Sequence, residues 1–338
     1  MLQASGEDKD AGQMRQAFVH SVASHILKDR WINPAALVTT YTNHTDMNST
    51  MLSGQGRDSD LIGDKVHMAD LNNAIRYSMY QETLLHQKLN ASQTSAIQLY
   101  LHVLSKYFPF EHDNQKRWVK RMSLWVKARP ETTAASLHAA MKAGSEGFLF
   151  PNRPYISCRG SKPDLRGYPC ALWLLFHTLT VHEHNAMLKN SSLPHLVLLA
   201  MRDYVRYFFT CKYCSQEFQH ASRDLEKTLT DVSSSVLWLW QAHNDVNQRL
   251  AKTETEDPAH PKIIYPGHDL CPSCRKEGTK EFNLSEVLSF LNRKYERRNL
   301  VRRLPNHSCK TQQQITPLLL SCLLLISSSP ISSSYLIN

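Results

Sequence analysis

The chain has 338 residues, 42% of them hydrophobic, and a formal net charge of +9 at pH 7, so it is long enough for two or three domains with real cores. The basic balance does not point to nucleic acid, because the cations are dispersed. The densest run is Arg293 to Arg303, and no aromatic-plus-basic platform accompanies it. Only 11 glycines, little strand-like alternation and long Leu-, Ala-, Gln-, Lys- and Arg-rich segments predict an all-α fold.

Residues 1–65 are poorly patterned, and "TDMNSTMLSGQGRDSD" reads as a linker. The start, "MLQASGEDKDAGQ", has no apolar stretch of the kind a signal peptide carries. A first helix is predicted from Asp70 as N-cap, turning Leu71, Ala74, Ile75 and Met79 inward. A second runs from about Ser92 through Ile97, Tyr100, Leu101, Leu104 and Phe108 to a stop at Pro109. A third follows Asp113 and buries Trp118, Met122, Trp125 and Val126 before Pro130, and a shorter one spans 133–142. Residues 66–150 thus form a small helical module with no chemistry of its own. Its histidines, His86, His102 and His138, stand alone and read as solvated or packed.

Composition shifts at "FLFPNRPYISCRGSKPDLRGYPCALW". Helices are then predicted over about 170–188, 194–209, from "CKYC" onward, and over 232–250. The loop "EDPAHPKIIYPGHDLCPSC" separates these from a final helix, with Asn283 and Glu286 as a capping box, ending near 298. Residues 277–300 hold this helix. Residues 301–338 are a low-complexity tail whose apolar run is about nine residues, short of the roughly 20 a membrane span needs.

Six N-x-S/T sequons (Asn43, Asn48, Asn90, Asn190, Asn283, Asn306) and eight cysteines fit an oxidising compartment. Cys158 and Cys170, twelve apart across a Gly/Pro-rich loop, suit a structural disulfide contributing about 3 kcal/mol. In "FFTCKYCSQEF" a CxxC opens a helix, where free amides and the dipole favour a thiolate on Cys211 and leave Cys214 one turn away to resolve a mixed disulfide. The bland alternative is a zinc site completed by Cys271 and Cys274. The 56 intervening residues exceed zinc-ribbon spacing, so redox chemistry is favoured and no metal is assigned.

One stretch breaks its own pattern. "LWLWQAHNDVNQRL" places Val236, Leu239, Trp240, Val246 and Leu250 on one helical stripe, with His243 and Asn247 in that stripe and Asn244 beside it. Leaving those polar groups unpartnered in a core costs roughly 1–3 kcal/mol each. Trp173 and His177 share a face of another helix, with Arg166 upstream; alone, that pair is a packed Trp and a hydrogen-bonded His. Together with a CxxC, the two helices suit a planar, polar ligand that accepts two electrons from a dithiol, as a flavin does. No GxGxxG is present, so a Rossmann turn does not hold it.

"CRGSKPDLRGYPCALWLLFHTLTV", "YVRYFFTCKYCSQEF", "WLWQAHNDVNQRLA" and "DPAHPKIIYPGHDLCPSC", in this order, resemble the Erv/ALR flavin domain of quiescin sulfhydryl oxidases over residues 155–276. "MADLNNAIRYSMYQETLLHQ" and "LHVLSKYFPF" resemble that family's flavin-free helical module. The resemblance implies an all-α bundle around FAD that oxidises dithiols to disulfides and reduces O2 to H2O2. It implies Cys211 as the interchange thiol and Cys214 as the thiolate beside the isoalloxazine. Arg166, Trp173, His177, Tyr213, Glu217, Trp240, His243, Asn244, Val246, Asn247, Lys262 and Tyr265 fall at expected FAD contacts, with Tyr265 standing where an indole is usual. Disulfides Cys158–Cys170, Cys211–Cys214 and Cys271–Cys274 are implied as well, the last without an assigned role. His243, Asn244 and Asn247 are expected to be satisfied by the cofactor rather than by protein.

The family begins with a signal peptide and thioredoxin-like domains carrying a CGHC-type site, and no such motif occurs here. The expectation is a truncated form acting on dithiol substrates and O2 in the secretory pathway or outside the cell. No nucleic-acid partner and no membrane span are expected. The alternative from another class is a zinc-stabilised interaction module or a catalytically silent remnant. Cys309 and Cys322 have no assigned role.

Overall fold

The computed structural model describes residues 65–143, 149–190 and 194–302, which belong to one compact unit. The linker, the N-terminal segment before residue 65, and the tail with Cys309 and Cys322 lie outside the described residues. The described chain is helical, as the patterning predicts. Helix α1 is Met68–Tyr80, α2 Ala91–Tyr107, α3 Asp113–Lys127, α4 Ala134–Lys142 and α5 Gly167–Met187. Then come α6 Val197–Phe208, α7 Lys212–Ala221, the single turn α8 Leu225–Thr228, α9 Ser234–Leu250 and α10 Leu284–Tyr295. A two-residue antiparallel pair, Lys88–Leu89 with Thr132–Thr133, pins α4 beside the start of α2. No helix among the described residues is long and apolar enough to cross a membrane.

The two halves share one core. Helices α1 and α2 pack on α5 and α6. Tyr100 of α2 lies with its ring centroid 4.9 Å from Tyr204 of α6 and 6.1 Å from Phe176 of α5. Its hydroxyl meets Ser78 of α1 at 2.9 Å, so this buried phenol is not orphaned. The ends of the described region also meet, since Met68 N–H donates to the Val301 carbonyl and Val301 N–H to that of Val66, both at 2.9 Å.

Several features differ from what the sequence predicts. Asp70 is not an N-cap. Helix α1 starts at Met68, and the buried Asp70 carboxylate accepts backbone N–H bonds from Ile156 (2.7 Å), Ser157 (2.8 Å) and Cys158 (3.3 Å). A helix-cap residue type here organises a loop 86 residues away. Helix α2 begins one residue earlier than expected, because Asn90 and Gln93 form a reciprocal capping box. The box expected at Asn283 does not form: Glu286 accepts from Ser273 at 3.0 Å instead, tying α10 to the second CxxC. Trp125 is half-buried, and α5 begins at Gly167 rather than Cys170.

Candidate active site

Helix α5 is launched by a constrained loop. A Cβ at Gly160 would collide with the Leu165 carbonyl, so the backbone closes on itself only with glycine there. Ser161 binds Asp257 through its N–H at 2.8 Å and its hydroxyl at 2.6 Å, which brings the 158–167 loop to the 252–266 segment. Cys158–Cys170 closes the loop as a disulfide. Arg166 sits at φ 62° and ψ −87°, a region costing about 1–3 kcal/mol for a side chain with a Cβ. That strain points its guanidinium to the Ser157 carbonyl and to Cys170 Sγ at 3.8 Å, and leaves its buried Nε without a partner.

The polar stripe of α9 meets α5 and the 263–265 backbone. His243 stacks on the Trp173 indole at 4.1 Å and 5°, and its Nδ1 lies 3.1 Å from His177 Nε2. His177 stacks in turn on Tyr295 of α10 at 5.2 Å and 14°. One imidazole must donate and the other accept in that bond, which opposes charging both. Burial, then His243 and Lys294, holds His177 well below the usual histidine range; burial, then Lys262, pushes His243 down to about 3. Asn244 brackets Tyr265, accepting its N–H and donating to its carbonyl, both at 2.8 Å. Trp240 Nε1–H donates to the same carbonyl at 2.6 Å, and Asn247 to the Ile263 carbonyl at 3.1 Å. Protein groups thus meet part of what the sequence leaves to a ligand: the Tyr265 backbone brackets Asn244, the Asn247 amide donates to Ile263, and His177 partners one nitrogen of His243.

The first CxxC adjoins this wall. Cys211 is the N-cap of α7, and its Sγ, disulfide-bonded to Cys214, accepts the Cys214 N–H at 3.2 Å. Both cysteines are half-buried. Phe218, one turn after Cys214 on the same face, meets Trp173 edge-on at 6.4 Å and Trp238 at 5.9 Å. On the outer side Arg249 ion-pairs with Glu217 and lies 5.7 Å over the Tyr213 ring. Val246 is half-buried on the same helix. Lys262 is half-buried, and burial lowers its pKa, with Arg166 adding to that and Glu256 opposing it. Cys271–Cys274 is also closed, so the four-thiolate zinc arrangement is not what these sulfurs adopt.

Two participants escaped the sequence reading. Tyr295 caps the indole–imidazole stack, and Lys294 Nζ donates to the Tyr265 hydroxyl at 2.6 Å. The stripe Val287, Leu291, Tyr295 marked the tyrosine as inward-facing.

Two family models match the chain: the Erv1 / Alr family over residues 170–266, and flavin adenine dinucleotide (FAD)-dependent sulfhydryl oxidase over residues 63–161. Sulfhydryl oxidase 1 of Gallus gallus is 36% identical across 70% of this chain and 33% of its own length. Sulfhydryl oxidase 2 of Mus musculus is 35% identical across 70% and 36%. The solved structure titled "Sulfhydryl Oxidase Fragment of Human QSOX1" is 32% identical and superposes with a TM-score of 0.65, over 71% of this chain and 99% of that one. The chain belongs to the quiescin sulfhydryl oxidase family. It spans about a third of the length of the curated relatives it matches.

FAD, on which the family depends, fits the residues present. The orphaned Arg166 Nε and neighbouring Lys262 supply cationic donors of the kind a pyrophosphate requires. Trp173, His177, His243 and Tyr295 supply flat, uncharged surfaces.

Proposed function

We propose that the chain is a thiol oxidase unit that converts dithiols to disulfides at the expense of O2, releasing H2O2. The observation that carries this reading is the half-buried Cys211–Cys214 disulfide at a helix start, with the next turn of that helix packed on the Trp173–His243 stack. We assign residues 66–150 to the flavin-free module and 155–276 to the flavin domain; the two family matches, 63–161 and 170–266, support that division.

A substrate thiolate attacks Cys211 Sγ, the Cys211–Cys214 bond breaks, and Cys214 leaves as a thiolate. The proton of the incoming thiol goes to solvent. The substrate's second thiol then attacks the mixed disulfide, completing its own disulfide and freeing Cys211 as a thiol. The amides at the start of α7 and the positive end of its dipole stabilise the thiolates. Bound FAD supplies an acceptor for the two electrons that can be restored by O2. Arg166 and Lys262 would hold its anionic portion, and Trp173, His177, Trp240, His243, Asn244, Val246, Asn247 and Tyr265 would shape the wall beside it. Tyr213 and Glu217, joined to Arg249, brace α7 at the rim. Regeneration of the Cys211–Cys214 bond closes the cycle, two thiols giving one disulfide and one H2O2.

Three closed disulfides among the described residues suit an oxidising compartment, so we place the protein in the secretory pathway or outside the cell. The test is to add dithiothreitol to the FAD-loaded chain and follow oxygen and peroxide. Equimolar H2O2 and disulfide are expected; dithiol-independent oxygen traces would overturn the reading.

A further inference from the structure

The helical module preceding residue 150 reads in sequence as chemically silent, yet one of its carboxyls reaches the redox loop. Glu82 lies in the short 3-10 turn Glu82–Leu85 after α1 and is only 1% exposed. Its Oε2 accepts the Thr210 N–H and its Oε1 meets the Thr210 hydroxyl, both at 3.1 Å. Thr210 immediately precedes Cys211, the cap of α7. The loop carrying the interchange sulfur is thus gripped by two bonds from a different part of the fold, and Thr210 makes them with both backbone and side chain.

We propose that Glu82 is a positioning residue for thiol–disulfide exchange, holding Thr210 so that Cys211 stays at the start of α7 in reach of an incoming thiolate. This inference rests on the oxidase reading above. A buried carboxyl spent on one exposed loop residue is costly unless the loop's placement matters, since unpaired burial of such a group is strongly unfavourable. The surroundings suit a group that works in either protonation state. Burial pushes the Glu82 carboxyl up to about 8, opposed by the Thr210 bonds and by Lys212. As the neutral acid, its O–H donates to Thr210 Oγ1 while the other oxygen still accepts the N–H; as the carboxylate, it accepts both. The groups facing it are the phenols of Tyr77, Tyr168 and Tyr204 from α1, α5 and α6, with Lys212 as the nearby cation. His86, on the same connection, meets Phe208 edge-on at 5.4 Å, so the module also touches the end of α6, the helix that leads into this loop.

Three variants of the FAD-loaded full chain test this: Glu82→Ala, Glu82→Gln and Thr210→Val. Glutamine keeps both bonds, its carbonyl accepting the N–H and its amide donating to the hydroxyl. Valine keeps one bond and leaves the carboxyl in place, which guards against simple misfolding. Stopped-flow bleaching of the flavin by dithiothreitol without oxygen is expected to slow about tenfold in Glu82→Ala. A smaller loss is expected in Thr210→Val, and Glu82→Gln should stay within about twofold of wild type. Reoxidation by O2, which does not use Cys211, should be unchanged in all three. Iodoacetamide labelling of reduced Cys211 at pH 7 should show the same order, and it reads the thiol's setting without any turnover. Wild-type rates of bleaching and labelling in Glu82→Ala overturn the proposal, and so does a Glu82→Gln as slow as Glu82→Ala. A wild-type chain that makes no peroxide but shows the labelling order removes the oxidase reading and leaves the placement of Cys211 standing.

Discussion

The two CxxC pairs share a spacing and both are closed as disulfides, yet the fold treats them oppositely. Cys211–Cys214 opens a ten-residue helix, is half-buried, and lies one turn from the Trp173 stack. Cys271–Cys274 spans a 3-10 turn led by Pro272, with Cys271 at 4% and Cys274 at 0% exposure. Its surroundings are stitched to α10, through Asn283 N–H to the Cys274 carbonyl at 2.9 Å and Ser273 to Glu286 at 3.0 Å. Thiol–disulfide exchange needs an approach path to sulfur and a stabilised leaving thiolate. Only the first pair offers both, so access and helix position single out the pair proposed to exchange with thiols where spacing does not.

Mutation separates the two pairs most clearly. Cys214→Ser is expected to lower dithiol oxidation by on the order of a thousandfold or more while flavin absorbance persists. Cys271→Ser/Cys274→Ser should keep turnover within about threefold and lose about 2 kcal/mol in denaturant melts, as a very short closed loop implies. Comparable turnover losses for the two pairs would contradict the assignment. Cys158→Ala/Cys170→Ala bears on stability too: about 3 kcal/mol is expected from its longer loop, together with weakened flavin retention because Arg166 sits on that loop.

A subtler effect is the pH dependence of melting. His243 binds its proton only near pH 3 when folded, against an ordinary value of 6.5, so it adds stability that is lost as pH falls from about 6.5 toward 3. Glu82, raised from 4.5 to about 8, adds stability that is lost as pH rises across that interval, and Glu183, raised to about 7, does likewise. Melting temperature should therefore fall on both sides of mildly acidic pH. His243→Gln should flatten the acid limb and Glu82→Gln the alkaline one, as read by calorimetric scans over pH 3 to 9.

The helices and the disulfide-closed, helix-opening CxxC were legible because both signals are local: apolar spacing along α1, α2, α3 and α9, and a CxxC after an aromatic helix end. What escaped depends on contacts far apart in the chain. Asp70 looked like a cap, since a carboxylate near a helix start is usually one, and nothing local shows that it binds residues 156–158. The amides on α9 were correctly singled out as anomalous. Their partners, however, are backbone groups of residues 263 and 265, and a loop carries no periodicity from which to read that. Glu82 was invisible for the same reason: its partner Thr210 is 128 residues away.

The α5–α9 wall is proposed to hold a flavin within electron reach of Cys211–Cys214. The visible spectrum of the purified, FAD-reconstituted chain tests it most directly. Flavin bands at about one FAD per chain are expected, bleaching on anaerobic dithiol addition and returning with air. A folded, colourless chain that takes up no FAD would contradict it.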